Sequence, residues 1–166
     1  MAENERLRLA IIIGSVRKGR FGHVAAEWPA SRARLRHDFD VDVMDLVTAW
    51  LPDVMSADPS APVPQAVKDL APWLAAADAF VVVVPLLRRP FHLCAVAALR
   101  QVFGEVHAVT VNETVSLHNY WERLGPDGTL AASDDWDVSA RLMFDRAGGP
   151  VCCAGPGQRA DTTYRR

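Results

Sequence analysis

Hydrophobic residues in this chain form short blocks that are typical of strands in a parallel sheet. Leu7–Ile13 is nearly continuous apolar sequence, which indicates a strand covered on both faces. Residues 39–44 alternate apolar and acidic side chains with a period of two, which predicts a half-exposed second strand. Residues 79–85 are wholly apolar and rich in β-branched side chains, so they predict a central third strand. Residues 106–111 predict a further strand.

Helical spacing follows these strands. The first predicted helix carries Trp28 on its apolar face, and Pro29 is expected to kink or break it because proline removes a backbone hydrogen bond. A second helix is predicted to begin at Pro64 and to break at Pro72. Because helices and strands alternate, the sequence predicts an α/β doubly wound fold, in which ligands bind beyond the carboxyl ends of the strands.

The second half of the chain is predicted to contain two more helices joined by long loops. Residues 93–103 have an apolar helical face and end before Gly104, which is suited to a helix C-terminus. Residues 86–92 and 112–129 lack periodicity and predict loops. Ser133 is positioned to cap a last helix. The aspartates that follow it suit the positive end of that helix, and we prefer this interpretation to a metal site.

The loop between the first strand and the first helix carries the strongest chemical signal. Gly14 ends the apolar run, Ser15 supplies a hydroxyl, and Arg17 and Arg20 supply guanidinium groups that bind phosphate oxygens in a fork. The amides of a first helical turn also attract anions. The loop therefore predicts a phosphate cradle; the alternative is a glycine-rich turn with solvated cations.

Composition excludes several classes of protein. The chain has 166 residues and a net charge of −2, so it lacks the broad basic surface expected of a nucleic-acid-binding protein. No apolar run is long enough to span a membrane, and because the charged N-terminus leads straight into the first predicted strand, we expect no signal peptide. The 3 cysteines have no zinc or redox spacing. We expect a cytoplasmic protein with a single domain over residues 1–147 and a disordered tail over residues 148–166.

The motifs in this chain resemble one known family. Residues 12–22 read IIGSVRKGRFG and resemble the opening of the NADPH-dependent FMN reductase family, a flavodoxin-like group of oxidoreductases. The resemblance resumes over residues 76–85 and again over residues 98–121. It implies a flavodoxin-like three-layer α/β/α sandwich with a short, mostly parallel sheet of about four strands.

The resemblance also implies an activity and a set of binding residues. Such a protein passes hydride from NADPH or NADH through bound FMN to a flavin, quinone or azo acceptor, and the hydride step requires no catalytic acid or base from the protein. Relatives of this kind resemble homodimers, in which His118 and Trp121 would either reach the partner's flavin or anchor their own loop. The residues implied to contact FMN are Ser15, Arg17, Arg20 and the amides near Phe21 and Gly22 at the phosphate, and Pro85 at the start of the loop bordering the ring.

The chain departs from that family after the third strand. Where the family has Pro-Glu-Tyr-Asn, this chain has Pro85 followed by Leu-Leu-Arg, and a family segment that includes a strand and a second glycine-rich loop is missing. The alternative function is therefore a truncated, non-catalytic remnant that binds FMN or phosphate weakly. A different enzyme of phosphate-containing ligands is a third hypothesis. The electron acceptor, the preference between NADPH and NADH and the oligomeric state are not encoded in any motif.

Overall fold

The computed structural model describes residues 6–52, 58, 60–84, 89–105, 108–131 and 133–149. Strands and helices alternate up to residue 105, as the sequence predicts. The elements, in chain order, are β1 (Leu7–Ile13), α1 (Gly22–Arg34), β2 (Phe39–Asp45), α2 (Gln65–Ala75), β3 (Ala79–Val83), α3 (Arg89–Glu105), a 3₁₀ turn (Tyr120–Arg123) and α4 (Asp134–Ala147).

The strands form a parallel sheet in the order β2-β1-β3. In the register of the sheet, Ile13 at the end of β1 lies beside Asp45 of β2 and Val83 of β3. The order and the helical crossovers confirm the predicted flavodoxin-like α/β fold. The central strand is β1, however; β3 pairs with β1 and with no other strand among the described residues.

The described residues form three strands rather than about four. Residues 108–111 lie in the predicted fourth strand but have no strand conformation, and the first two positions of that prediction fall outside the described residues. The N–H of Ala108 donates to the carbonyl of Phe103, in the last turn of α3, at 2.9 Å and therefore does not pair with a neighbouring strand. Val109 is 68% exposed, so its β-branched side chain lacks the packing contacts that favour a strand.

One face of the sheet is closely packed, and we call it the packed face. Leu9, Ile11 and Ile13 of β1 point to it and are between 0% and 4% exposed. Helices α1 and α4 cover it together, and their contact includes an edge-on pair of Trp28 and Trp136 with ring centroids 5.9 Å apart. The core therefore lies between one side of the sheet and these two helices.

Two prolines lie inside helices that were predicted to break. Pro29 lies within α1 and is buried, and Pro72 lies within α2. The predicted break at Pro72 is wrong, and so is a break at Pro29, because both helices continue past these residues. Ala30 and Ala33, beyond Pro29, are fully buried against the core. Contacts with the core therefore hold the second half of α1 in place, although a proline inside a helix costs about 3 kcal/mol.

The opposite side of the sheet, which we call the open face, is covered less completely. None of the residues of α2, all of them described, is buried. Phe80 of β3 points to this face, is 36% exposed, and lies 6.3 Å from the ring of Phe103 in α3. Helix α3 begins at Arg89, earlier than predicted, and Gly104 lies within it rather than after it. Proline at position 90 is compatible with the first turn of a helix.

The last described element is α4, which ends at Ala147, and Gly148 follows it as the C-cap. Residues 150–166, most of the predicted disordered tail, lie outside the described residues. The prediction of a single domain over residues 1–147 stays a prediction. Among the described helices, none combines the length and the apolar character that crossing a membrane requires.

Candidate functional site

The predicted phosphate loop lies where β1 and β3 end side by side. We call residues 14–21, between β1 and α1, the cradle loop. The N–H of Gly14 donates to the carbonyl of Val83 at 2.9 Å, and a Cβ on Gly14 would lie 3.3 Å from that same oxygen. The loop therefore begins directly against the end of β3, at the edge of the sheet where parallel α/β folds bind ligands.

Ser15 is the most unusual residue of the cradle loop. It is 4% exposed, and its Oγ has no hydrogen-bond partner in the part of the chain that the structure describes. A buried hydroxyl without a partner costs about 1 to 3 kcal/mol, so such groups call for an explanation. An anion at the edge of the sheet would supply the missing partner, and Ser15 therefore fits a bound phosphate.

The start of α1 packs tightly beneath Ser15. A Cβ on Gly22 would lie 2.8 Å from Cγ2 of Ile13 and 3.4 Å from Cβ of Ser15, so a larger residue would have to displace its neighbours. The first helical hydrogen bond runs from Ala25 N–H to the carbonyl of Phe21 at 3.0 Å. The amides before Ala25 lack helical acceptors and carry the positive end of the helix dipole. No acidic residue lies in the first turn of α1, every residue of which is described.

The tip of the cradle loop extends into solvent. Gly19 has φ of +66°, a left-handed conformation that glycine adopts without steric cost. Arg17 and Lys18 precede it and are exposed. Among the described residues, neither of them has a carboxylate within ion-pair distance. Both cations are therefore available to an incoming anion.

Arg20 is engaged differently from Arg17. Its guanidinium donates to both carboxylate oxygens of Asp45, at the end of β2, and Nη1 also donates to the carbonyl of Ser15 at 2.8 Å. The side chains of Arg20 and Asp45 are 17% and 21% exposed. The hydrogen bond from Arg20 is the main reason that the pKa of Asp45 lies below its ordinary value. Direct contact of Arg20 with phosphate stays a prediction.

An aromatic contact joins the cradle loop to a distant segment. The ring of Phe21 stacks on that of Tyr120 with centroids 3.8 Å apart, and Trp121 meets Tyr120 edge-on at 5.4 Å. Sequence reasoning singled out Phe21 for its amide and missed the partner of its ring. The contact anchors the segment around Tyr120 to its own chain, while Trp121 stays 62% exposed.

Two other predicted features lie elsewhere. Pro85, predicted to begin the loop beside the flavin ring, lies outside the described residues, which reach Val84 on that side. The aspartates after Ser133 lie in the first turn of α4, as predicted, although the Ser133 side chain makes no capping hydrogen bond. Within the described ranges, no group of residues has the arrangement needed to hold a metal ion.

A comparison with known protein families gave a match over the part of the chain that contains the cradle loop. Residues 7–87 match the model of the NADPH-dependent FMN reductase family. This match confirms the resemblance over β1, β2, β3 and the whole cradle loop, which is just under half of the chain. No curated protein and no solved structure matched the chain. The later resemblance over residues 98–121 and the missing family segment stay predictions.

Proposed function

We propose that this chain is an FMN-dependent oxidoreductase that passes hydride from NADPH or NADH through bound FMN to a small acceptor such as a flavin, a quinone or an azo compound. The family match over residues 7–87 supports an oxidoreductase of the NADPH-dependent FMN reductase type. The observation that carries the proposal is the buried hydroxyl of Ser15, which has no partner among the described residues and lies at the ligand-binding edge of the sheet.

The residues of the cradle loop suit a phosphate in three ways. Ser15 Oγ donates to a phosphate oxygen and thereby gains its missing partner. The amides at Gly22 and the next residues donate from the helix N-terminus. Arg17 is exposed at the loop tip and supplies a charge-assisted, forked contact. Together these groups would hold the phosphate end of FMN and set the direction in which the rest of the molecule extends.

When bound, FMN supplies the electron-carrying chemistry, and the protein supplies binding and orientation. No described residue near the loop is needed as an acid or base in such a transfer. The family resemblance implies that Pro85 would begin the loop bordering the flavin ring; this residue lies outside the described part of the chain, which reaches Val84 on that side. The ring seat in this proposal therefore rests on the family resemblance, while the phosphate seat rests on observed geometry.

Two observations favour the alternative of a non-catalytic remnant. The described sheet ends at β3, and the family match ends at residue 87. Such a remnant would keep the cradle loop and bind FMN or phosphate weakly without oxidising NADPH. Steady oxidation of NADPH by the purified protein with FMN would exclude it. If the protein binds FMN but oxidises neither NADPH nor NADH in the presence of a flavin, a quinone or an azo acceptor, the hypothesis of an enzyme is excluded.

Arg17→Ala tests the phosphate contact. Loss of a charge-assisted hydrogen bond of about 1.5 to 3 kcal/mol is expected to weaken FMN binding by about 10-fold or more. Dissociation constants are measured by quenching of flavin fluorescence, with FMN and with riboflavin, which lacks the phosphate. The matched control is Arg141→Ala, which removes an exposed arginine from α4.

The ligand pair makes the result specific. The affinity for FMN is expected to fall in Arg17→Ala while the affinity for riboflavin stays unchanged, and Arg141→Ala is expected to change neither. An equal loss for both ligands would show that Arg17 supports the loop rather than the phosphate. Unchanged FMN affinity would remove Arg17 from the site, and a wild-type protein that binds neither ligand would overturn the proposed function.

A further inference from the structure

Arg20 joins three parts of the sheet edge. Its guanidinium contacts the carbonyl of Ser15 in the cradle loop and both carboxylate oxygens of Asp45 at the end of β2. Arg20 itself immediately precedes the N-cap of α1. One planar group therefore connects the end of β2, the beginning of the cradle loop and the start of the helix, and both side chains of the ion pair are mostly buried.

Asp45 is a fixed anchor for this contact. It is the last residue of β2 and lies beside Ile13 in the sheet register. Its Oδ1 accepts a hydrogen bond from the N–H of Val47 at 3.0 Å, and its carbonyl accepts from the N–H and the hydroxyl of Thr48 at 2.9 and 2.8 Å. The carboxylate is thus held by the turn after β2 as well as by Arg20.

Holding the Ser15 carbonyl orients the backbone of the cradle loop. A carbonyl and the N–H that follows it lie in one peptide plane, so the contact with Arg20 also sets the direction of the Val16 amide. Ser15 is the residue whose Oγ is buried without a partner among the described residues. The guanidinium thus acts on the backbone of the same residue that supplies the candidate phosphate donor.

The charge of Arg20 is balanced where it lies. Asp45 takes both arms of its fork, so the pair has no net charge, whereas Arg17 and Lys18 at the loop tip face no such carboxylate among the described residues. Attraction of an anion to the loop would therefore come from the tip and from the helix N-terminus. While Arg20 is paired with Asp45, it adds little to the attraction of an anion.

We propose that Arg20 is a positioning residue that clamps the cradle loop to the end of β2, so that Asp45, although an anion, strengthens the binding of the FMN phosphate. The inference rests on the proposed function, because it concerns the same phosphate seat. The clamp and direct ligation of the phosphate by Arg20 predict opposite changes in FMN affinity when the Asp45 carboxylate is removed. If Arg20 were a phosphate ligand restrained by Asp45, removing the carboxylate would release it and tighten FMN binding.

Asp45→Asn and Arg20→Lys test the clamp. Asparagine removes the negative charge at constant shape, and lysine keeps the positive charge without the planar fork. Each substitution is expected to weaken FMN binding by about 10-fold and to leave riboflavin binding unchanged. The double variant is expected to be no weaker than either single variant, because both remove one interaction. The control is Asp42→Asn, on the same strand, whose side chain is 53% exposed.

A second measurement needs no ligand. Amide hydrogen exchange of residues 14–22 is compared between the wild-type protein and the variants without FMN, with β1 as the internal reference. Faster exchange is expected in the cradle loop of Asp45→Asn and Arg20→Lys, and not in Asp42→Asn. Unchanged loop exchange, or tighter FMN binding by Asp45→Asn, would overturn the clamp.

The two measurements separate the two proposals. A wild-type protein that fails to bind FMN would overturn the proposed function and, with it, the role of the clamp in phosphate binding. Loop exchange that still accelerates in both variants would then assign Arg20 a role in loop structure alone. Normal FMN binding by the wild type with unchanged binding in both variants would leave the proposed function standing and overturn the clamp.

Discussion

The two faces of the sheet differ in how completely they are covered. On the packed face, alternate residues of β1 are almost fully buried under α1 and α4. On the open face, Ala10 of β1 is 1% exposed, but Phe80 of the neighbouring β3 keeps 36% of its surface exposed. The cradle loop belongs to the packed face, since Gly22 lies against Ile13 and Ser15.

This difference separates the two halves of the candidate flavin site. The proposed phosphate seat lies on the packed face, which holds most of the buried apolar side chains among the described residues, so it is expected to stay folded when the open face is disturbed. The predicted ring seat follows β3, an edge strand among the described residues. Stability and phosphate binding should therefore be sensitive to changes on the packed face and tolerant of changes on the open one.

The largest contrast is expected between two phenylalanines. Phe144 of α4 is 1% exposed and packs against Phe39, whereas Phe80 of β3 is 36% exposed. Phe144→Ala is expected to lower the free energy of unfolding by about 3 to 5 kcal/mol, because it leaves a cavity in the core. Phe80→Ala is expected to cost about 1 to 2 kcal/mol, since much of its ring already contacts water.

Urea unfolding followed by tryptophan fluorescence measures both values. If Phe144→Ala is too unstable to purify, Phe144→Leu serves instead and is expected to cost less, in the same order relative to Phe80→Leu. Equal losses at the two positions would show that the open face contributes as much as the packed face, and the comparison would fail.

Two glycines should respond to alanine with opposite signs. At Gly22 a Cβ would lie 2.8 Å from Ile13, so Gly22→Ala is expected to destabilise the protein by about 1 to 3 kcal/mol through crowding. At Gly104, within α3, a Cβ meets nothing within 4 Å among the described residues. Gly104→Ala is expected to stabilise by about 0.5 to 1 kcal/mol, because alanine loses less conformational freedom in a helix.

Thermal unfolding of the two alanine variants is the measurement, with the wild type as reference. A lower midpoint for Gly22→Ala and a higher one for Gly104→Ala are expected. A stabilised Gly22→Ala would mean that the start of α1 is less tightly packed than its contacts indicate, and the tight packing beneath Ser15 would be rejected.

The smallest effect concerns two ion pairs. Arg36 donates to Asp38 with both arms and to Asp145 of α4, and hydrogen bonding from Arg36 is the main reason that the pKa of Asp38 lies below its ordinary value. A carboxyl whose pKa is lowered by folding stabilises the protein above its unfolded pKa, near 4, and this contribution is lost as the pH falls through the folded pKa. On the open face, the pair of Arg8 and Asp42 is half exposed.

Asp38→Asn is therefore expected to lower the free energy of unfolding by about 1 kcal/mol at neutral pH. The difference from the wild type should shrink as the pH falls below about 4. Asp42→Asn is expected to change it by less than about 0.5 kcal/mol at any pH. Urea titrations at several acidic pH values check both variants. A constant difference between Asp38→Asn and the wild type down to the lowest pH would contradict the role of the charged pair.

The helices show where sequence patterns were insufficient. The sequence predicted a kink or break of α1 at Pro29 and a break of α2 at Pro72, because proline removes a helical hydrogen bond, yet both helices continue past these residues. Residues 108–111 predicted a strand and form none. In α1 the local preference was outweighed by contacts with parts of the chain that are distant in sequence, since Ala30 and Ala33 are buried against the core.

In the candidate site, too, local features were predictable from the sequence, whereas contacts between distant segments were not. The cradle loop, its glycines and its cations were predictable because a strand, a loop and a helix follow one another within a short stretch, and the family match covers that stretch. The partner of Arg20 was not predictable, since Asp45 is 25 residues away and only the sheet register brings the end of β2 beside the loop. The stack of Phe21 on Tyr120 depends likewise on a distant segment.

The amino-acid sequence alone was enough to locate β1, β2, β3 and the cradle loop, because apolar runs, alternation and glycine positions are local properties of the chain. Tertiary structure decided which face of the sheet is closely packed, that Ser15 is buried without a partner among the described residues, and that Arg20 is paired. These properties depend on distances between segments that only folding brings together, and no pattern along the chain encodes such distances directly.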